Sequence, residues 1–232
     1  MTTGALVGQL AVVTGGSKGI GAAIAAALRA EGATVVRASR TRSALSPLGD
    51  VSIVADLATD RGIETLAEEV LALGVPDLVV NNAGGFALGS FESTPASTLD
   101  ELYRVNLRAP YEIARRFLGR MRERGSGRHV LIGSIADSVA LPGNAAYGAT
   151  KFGARGLHEV LRAEYRGTGV LCSLVSPGPV DTPLWDPIDP DGRPDLPNRA
   201  SMLRPEDVAD LVRWIATRPR HVDVGWVQLG PA

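Results

Sequence analysis

Apolar residues arrive along this chain in short β-rich runs, and between the runs they recur at helical spacing. Seven runs read as strands: 10–14, 34–38, 51–55, 77–81, 129–133, 170–175 and 224–229. Helical patterns fill residues 19–31, 60–73, 96–123, 144–166 and 204–217, with a short or poorly formed crossover after the second strand. Runs such as L10-A-V-V-T14 and D77-L-V-V-N81 are nearly all apolar. They lack the alternating polar positions of a sheet with one wet face, so the pattern predicts a parallel sheet covered on both faces. Right-handed crossovers then give a doubly wound α/β sheet of about seven parallel strands, with ligands beyond the strands' carboxyl ends.

No repeat, low-complexity tract or linker divides residues 1–232, which read as a single domain. The one long irregular stretch is 183–203, with Pro183, Pro187, Pro190, Pro194 and Pro197. A loop of that length is either functional or disordered. Its place after the sixth strand's carboxyl end favours a substrate lid.

Composition narrows the function classes. Hydrophobic content of 45% and charged content of 21% are those of an ordinary globular protein. A net charge of −1 offers no footprint for nucleic acid or an anionic membrane. No apolar run approaches the length of a membrane span, and the N-terminus does not read as a signal peptide. A single cysteine, Cys172, excludes an internal disulfide and points to a reducing, cytoplasmic setting. His129, His158 and His221 show no metal-ligand spacing, so no metal site is expected.

Gly15, Gly19 and Gly21 stand where the first strand turns into the first helix. A tight turn, close backbone approach to a pyrophosphate and helix–sheet contact each favour a residue without Cβ. The helix start adds amide donors and the positive dipole end. The spacing is G-x-x-x-G-x-G rather than G-x-G-x-x-G, and a plain structural turn is the alternative; the place after the first strand and before an Ala-rich helix favours a Rossmann-type cofactor turn. The second strand ends A38-S-R-T-R42, with Ser39 and Arg40 where a carboxylate would repel a 2′-phosphate. Lys18 and Arg40 could converge on that phosphate, which points to NADP(H) rather than NAD. Asp56 is placed to meet the adenine amino group, with Leu57 packing against the base. N81-N-A-G84 offers small residues beneath the adenosine ribose and pyrophosphate.

Of 24 basic residues, only Lys18 and Lys151 are lysines. An ammonium differs from a guanidinium in size and reach, so each surviving lysine hints at a local chemical need. Tyr147 and Lys151 share a helix face at i,i+4. A nearby ammonium, together with the positive oxidised nicotinamide, favours the phenolate and should lower the Tyr147 pKa. Ser134, after the fifth strand, could bind a carbonyl oxygen. Pro110 has no N–H for the carbonyl of Asn106 four residues earlier, so a continuous helix would leave that carbonyl free to hold a water.

With T14-G-G-S-K-G-I-G21, Asp56, N81-N-A-G84, Asn106, Ser134, Tyr147-x-x-x-Lys151 and Pro177-Gly-Pro-Val-Asp-Thr182 in order, the chain resembles the short-chain dehydrogenase/reductases over essentially its whole length. The resemblance implies hydride transfer between nicotinamide C4 and a carbonyl or alcohol carbon. It implies Tyr147 as acid or base, Ser134 polarising the carbonyl, Lys151 binding the nicotinamide ribose, and Asn106 anchoring a relay water. The glycine-turn residues Gly15, Ser17, Lys18, Gly19, Ile20 and Gly21 would hold the cofactor, with Ser39, Arg40, Asp56, Leu57, Asn82, Ala83 and Gly84. Pro177, Gly178, Val180 and Thr182 would line the nicotinamide. The tail W226-V-Q-L-G-P-A232 departs from the V-D-G-G-like ending of many relatives, which often helps build a tetramer. A homodimer and a homotetramer therefore both stay open.

The leading reading is an NADP(H)-dependent reductase or dehydrogenase acting on a small carbonyl or alcohol substrate, with ketones and 3-oxoacyl compounds both open. A catalytically idle NADP-binding redox sensor or scaffold is the alternative. Arginines 115, 116, 120, 122, 124 and 128 read either as a solvated face or as a dock for an acyl carrier protein.

Overall fold

Neighbouring valines are dealt to opposite sides of one sheet. Val13, Val35 and Val80 join a core with Ile24, Leu28, Val208, Val212 and Ile215. Val12, Val36 and Val79 join a second core with Ile63, Leu66, Ile113, Phe117 and Met121. Successive strand side chains point to opposite faces, so an unbroken apolar run fills both cores at once.

The computed structural model describes residues 4–42 and 50–232. Its strands are β1 (Leu10–Thr14), β2 (Thr34–Ser39), β3 (Val51–Val54), β4 (Leu78–Asn81), β5 (Gly127–Ile132), β6 (Val170–Pro177) and β7 (Trp226–Leu229). They lie in the order β3-β2-β1-β4-β5-β6-β7. Every pairing is parallel. The predicted Rossmann-type sheet is therefore the observed one. The order reverses between β1 and β4, and the crevice beyond their carboxyl ends is the place where such sheets bind ligands.

Helices α1 (Gly19–Ala30), α2 (Asp60–Leu73), α3 (Ala96–Tyr103), α4 (Ala109–Arg124), α5 (Ala145–Glu164) and α6 (Pro205–Ala216) complete the layers. Helices α1 and α6 cover the first core. The apolar faces of α2 and α4 cover the second. Ala154 of α5 packs on Leu131 and Leu174 beyond the middle strands. The short crossover expected after β2 falls largely on 43–49, outside the described residues.

One expected element is divided. The pattern over 96–123 predicted a single helix, and the chain instead runs α3, a π-helical segment Arg104–Arg108, then α4. Pro110 stands in the first turn of α4. It has no N–H for the carbonyl of residue 106, and a proline at that place loosens the i→i−4 ladder. Single π turns of this kind gather at functional sites, and Asn106 is at the centre of this one.

Candidate active site

The glycine turn is locked to the end of β4. Thr14 Oγ accepts from the N–H groups of Asn82 and Ala83, both at 2.9 Å. Asn82 Nδ2 donates back to the Thr14 carbonyl at 2.9 Å. Gly15 and Gly19 hold φ of +65° and +53°, a region that disfavours side chains. A Cβ on Gly21 would overlap the Gly15 carbonyl, so the helix starts directly against the turn. Helix α1 begins without a side-chain cap and without an acidic residue in its first turn. Its N-terminal amides thus keep their capacity for an anion. Ser17 and Ile20 are half-buried beside this start, and Lys18 is exposed. The residues present fit a dinucleotide phosphate.

At the end of β2, Arg40 is exposed. Ser39 is buried and donates its hydroxyl proton to the Thr41 carbonyl at 2.6 Å. Asp56 is exposed, and its Oδ1 accepts from the Ala58 N–H at 3.1 Å. Leu57 is turned into the second core, so the side-chain packing against a base expected of it is not available here. Asn81 likewise faces inward and bonds His129 Nε2 at 2.8 Å. Asn82, Ala83 and Gly84 alone carry the N-A-G motif into the crevice.

Lys151 lies one turn after Tyr147 on α5 and is nearly buried. Its Nζ donates to the Ile132 carbonyl at 3.1 Å and sits 5.7 Å from the Tyr147 ring centre. Asn106 Oδ1 accepts from Gly85 N–H at 2.8 Å. Its Nδ2 donates to the Gly85 carbonyl at 3.1 Å and to Thr150 Oγ at 3.0 Å. A Cβ on Gly84 would stand 3.1 Å from Asn106 Oδ1 and 4.0 Å from Lys151 Nζ. Ser134 follows β5, and its Oγ accepts from the Ala136 N–H at 3.2 Å. The four residues singled out in the sequence thus converge at the carboxyl ends of β4 and β5.

Burial dominates the electrostatics of the pair. The Tyr147 phenol is pushed up to about 12 by burial, against a lowering hydrogen bond from Ser134, with a smaller raising contribution from the Asp137 carboxylate. Burial also lowers Lys151, to about 8, while Asp137 acts to raise it. The lowering expected of Tyr147 belongs to the site with an oxidised nicotinamide beside the ammonium; in the chain alone desolvation of the phenolate prevails.

The run from Pro177 to Thr182 returns across the crevice. Gly178 N–H donates to the Leu229 carbonyl at 2.7 Å, and Val180 bridges Leu203 in parallel. A Cβ on Gly19 would come within 3.2 Å of the Thr182 methyl, so this run faces the glycine turn. Beyond it, 183–201 carries three 3-10 turns. Arg199 ties the segment down through Asp181 at 2.6 Å and Asp186 at 2.7 Å. Phe86 stacks edge-on against Tyr147 at 4.8 Å and leans on Trp185 at 5.1 Å. Phe86 went unnoticed in the sequence because only its place three residues after Ala83 hinted at the crevice.

The chain as a whole is similar to known proteins. A family model described as short chain dehydrogenase matches residues 9–192. The chain belongs to the short-chain dehydrogenase/reductase family. It is 34% identical to the ketoacyl reductase HetN of a Nostoc species, over 91% of this chain and 76% of that protein. An uncharacterized oxidoreductase of Staphylococcus aureus is 30% identical over 97% of this chain and 98% of its own length. A metagenomic short-chain oxidoreductase solved in complex with NADP superposes with a TM-score of 0.82 at 33% identity, covering 98% of this chain and 99% of that one.

Elsewhere on this short-chain dehydrogenase/reductase, no helix among the described residues is long and apolar enough to cross a membrane. Each of the six clustered arginines has a partner in the chain. Arg115, Arg116 and Arg124 pair with Glu112, Glu64 and Asp77. Arg120 and Arg128 donate to backbone carbonyls, and Arg122 lies over Tyr165. A solvated, internally paired face describes them.

Proposed function

We propose that the chain is an NADP(H)-dependent carbonyl reductase, taking hydride to a ketone or 3-oxoacyl carbon. The observation that carries this reading is the convergence of Ser134, Tyr147, Lys151 and Asn106 at the sheet's switch point. NADPH supplies the hydride when bound. Gly15, Ser17, Lys18, Gly19, Ile20 and Gly21 hold its pyrophosphate, and Arg40 with Lys18 takes the 2′-phosphate. Ser39 frames that end from below through its backbone. Asp56 and the Leu57 backbone meet the adenine, while Asn82, Ala83 and Gly84 lie under the adenosine ribose. Pro177, Gly178, Val180 and Thr182 line the nicotinamide.

Ser134 O–H donates to the substrate carbonyl oxygen, and Tyr147 O–H delivers the proton to that same oxygen. Burial keeps the Tyr147 phenol protonated at neutral pH, so it carries the proton that reduction consumes. Lys151 donates to the nicotinamide ribose from its place beside Ile132. Asn106 holds Gly85 and the widened helix turn, where a water can reload the proton. Phe86 and Trp185 give the substrate an aromatic wall, and the Arg199-tied segment 183–203 serves as its lid.

The test is turnover of NADPH, read by absorbance, across a panel of ketones, sugars and acyl thioesters. Reduction of at least one carbonyl, abolished by Tyr147→Phe, is the expected result. NADPH binding without turnover on any panel member would favour an idle sensor instead.

A further inference from the structure

Directly behind Ser134 lies a carboxylate that this chemistry does not use. Asp137 closes the 3-10 turn Ile135–Asp137 and is 0% exposed. Its Oδ2 accepts from the Ser134 N–H at 3.2 Å and from the Ser176 hydroxyl at 2.5 Å. Ser176 in turn accepts from the Trp226 indole N–H at 2.9 Å. Arg155 stands 3.5 Å from Oδ1, and its guanidinium lies 4.1 Å over the Trp226 ring. Residues of α5, β6 and β7 thus surround one charge held just after β5.

A buried carboxylate is costly unless it is paired and hydrogen-bonded. What it faces explains why the charge is useful there. Tyr147, Lys151 and Arg155 fall at i, i+4 and i+8 along α5, one stripe of one helix. These are the ionisable groups that act with Asp137 from α5. From β6 and β7 it meets Ser176 and, through it, Trp226, neither of which titrates.

We propose that Asp137 is a positioning residue: it orients Ser134 through the backbone and opposes its charge to the Tyr147–Lys151–Arg155 stripe, with Ser176 and Trp226 fixing its carboxylate. The departing tail then has a task, since Trp226 links the edge strand to the serine. This rests on the carbonyl-reductase reading. Asp137 favours the protonated forms of both Tyr147 and Lys151, so its charge works in the same sense on both: toward a neutral phenol and a cationic amine.

Asp137→Asn keeps the shape and removes the charge. Two readouts are expected: kcat lowered at least about tenfold with the KM for NADPH little changed, and a Tyr147 ionisation midpoint shifted downward. That midpoint is read from phenolate absorbance, assigned by its loss in Tyr147→Phe, and needs no substrate. An unchanged midpoint overturns the proposal even if no substrate is ever found. A lowered midpoint with no turnover in the parent protein would fault the reductase reading alone. Should Asp137→Asn fail to fold, Ser176→Ala and Trp226→Phe replace it. Both should lower kcat at unchanged NADPH KM, and parental kcat in both overturns the proposal.

Discussion

Lys151 Nζ donates to the carbonyl of Ile132 at 3.1 Å, on the strand that leads into Ser134. The ammonium is therefore held at the carboxyl end of the central strand β5 from a buried position, and its reach is set by that carbonyl. An arginine is longer and planar and does not fit the same slot. Lys151→Arg should lower kcat/KM by about two powers of ten or more. NADPH binding by the parent protein should weaken as pH rises through about 8, where Lys151 loses its proton. That dependence should vanish in Lys151→Arg, since a guanidinium does not titrate there. Lys18→Arg, on an exposed turn, should be mild. Equal tolerance of both swaps, in steady-state kinetics, would remove the special need for an ammonium at 151.

Arg40 and Lys18 are both exposed, and on the proposed reading they take the 2′-phosphate. Charge-assisted hydrogen bonds contribute roughly 1.5–3 kcal/mol each, so the pair should favour NADPH over NADH by about two to four powers of ten. Arg40→Asp should erase or reverse that preference. Titration of both cofactors by nicotinamide fluorescence decides it, and equal affinities in the parent protein would refute the assignment.

Much of this was legible in the chain because parallel strands carry their signal locally. Each of the seven apolar runs holds its own strand, and the glycine turn and Tyr147–Lys151 need only nearby residues. What could not be read depends on contacts between distant segments. Asp137 meets Ser176 across 39 positions and Ser176 meets Trp226 across 50, and no spacing rule announces either. The inward turn of Leu57 is hidden for a related reason. It lies three residues past the end of β3, and only packing against distant segments decides whether a side chain there faces crevice or core. The Tyr147 pKa turned on burial, which motif spacing does not encode.

The π-helical segment Arg104–Arg108 ends two residues before Pro110. Pro110→Ala would return an amide able to bond the carbonyl of Asn106 and tighten that turn into ordinary helix. Asn106 would then rotate away from Gly85 and Thr150. Slower turnover with little change in NADPH binding is expected, together with equal or greater thermal stability. Unchanged turnover, where chemistry limits the rate, would show that the widened turn is dispensable.

Thr14 is buried and takes two backbone N–H groups at once, from Asn82 and Ala83. Thr14→Val keeps the shape and strands both donors. Both donors are part-buried, so leaving them unpaired costs at most about 1–3 kcal/mol apiece, and the melting temperature should fall. The NADPH dissociation constant should rise as well, because the same bonds set the width of the crevice. A loss of stability without a loss of affinity would separate the fold from the cofactor cradle.

His129 and His158 are both fully buried. Burial holds His129 down to about 3 and lowers His158 as well. In the unfolded chain each regains an ordinary value near 6.5. Above that value both states are neutral, and the histidines leave stability unchanged. As pH falls below it, the unfolded chain takes up protons that the folded chain refuses, and stability declines by up to about 1.4 kcal/mol per pH unit for each histidine. For His129 the decline continues toward about 3, where the folded form protonates too. Urea midpoints near neutral pH and at about pH 5 should therefore differ clearly. His158→Leu removes one titrating ring and should flatten the slope. An identical slope in that variant would assign the acid sensitivity to carboxylates instead.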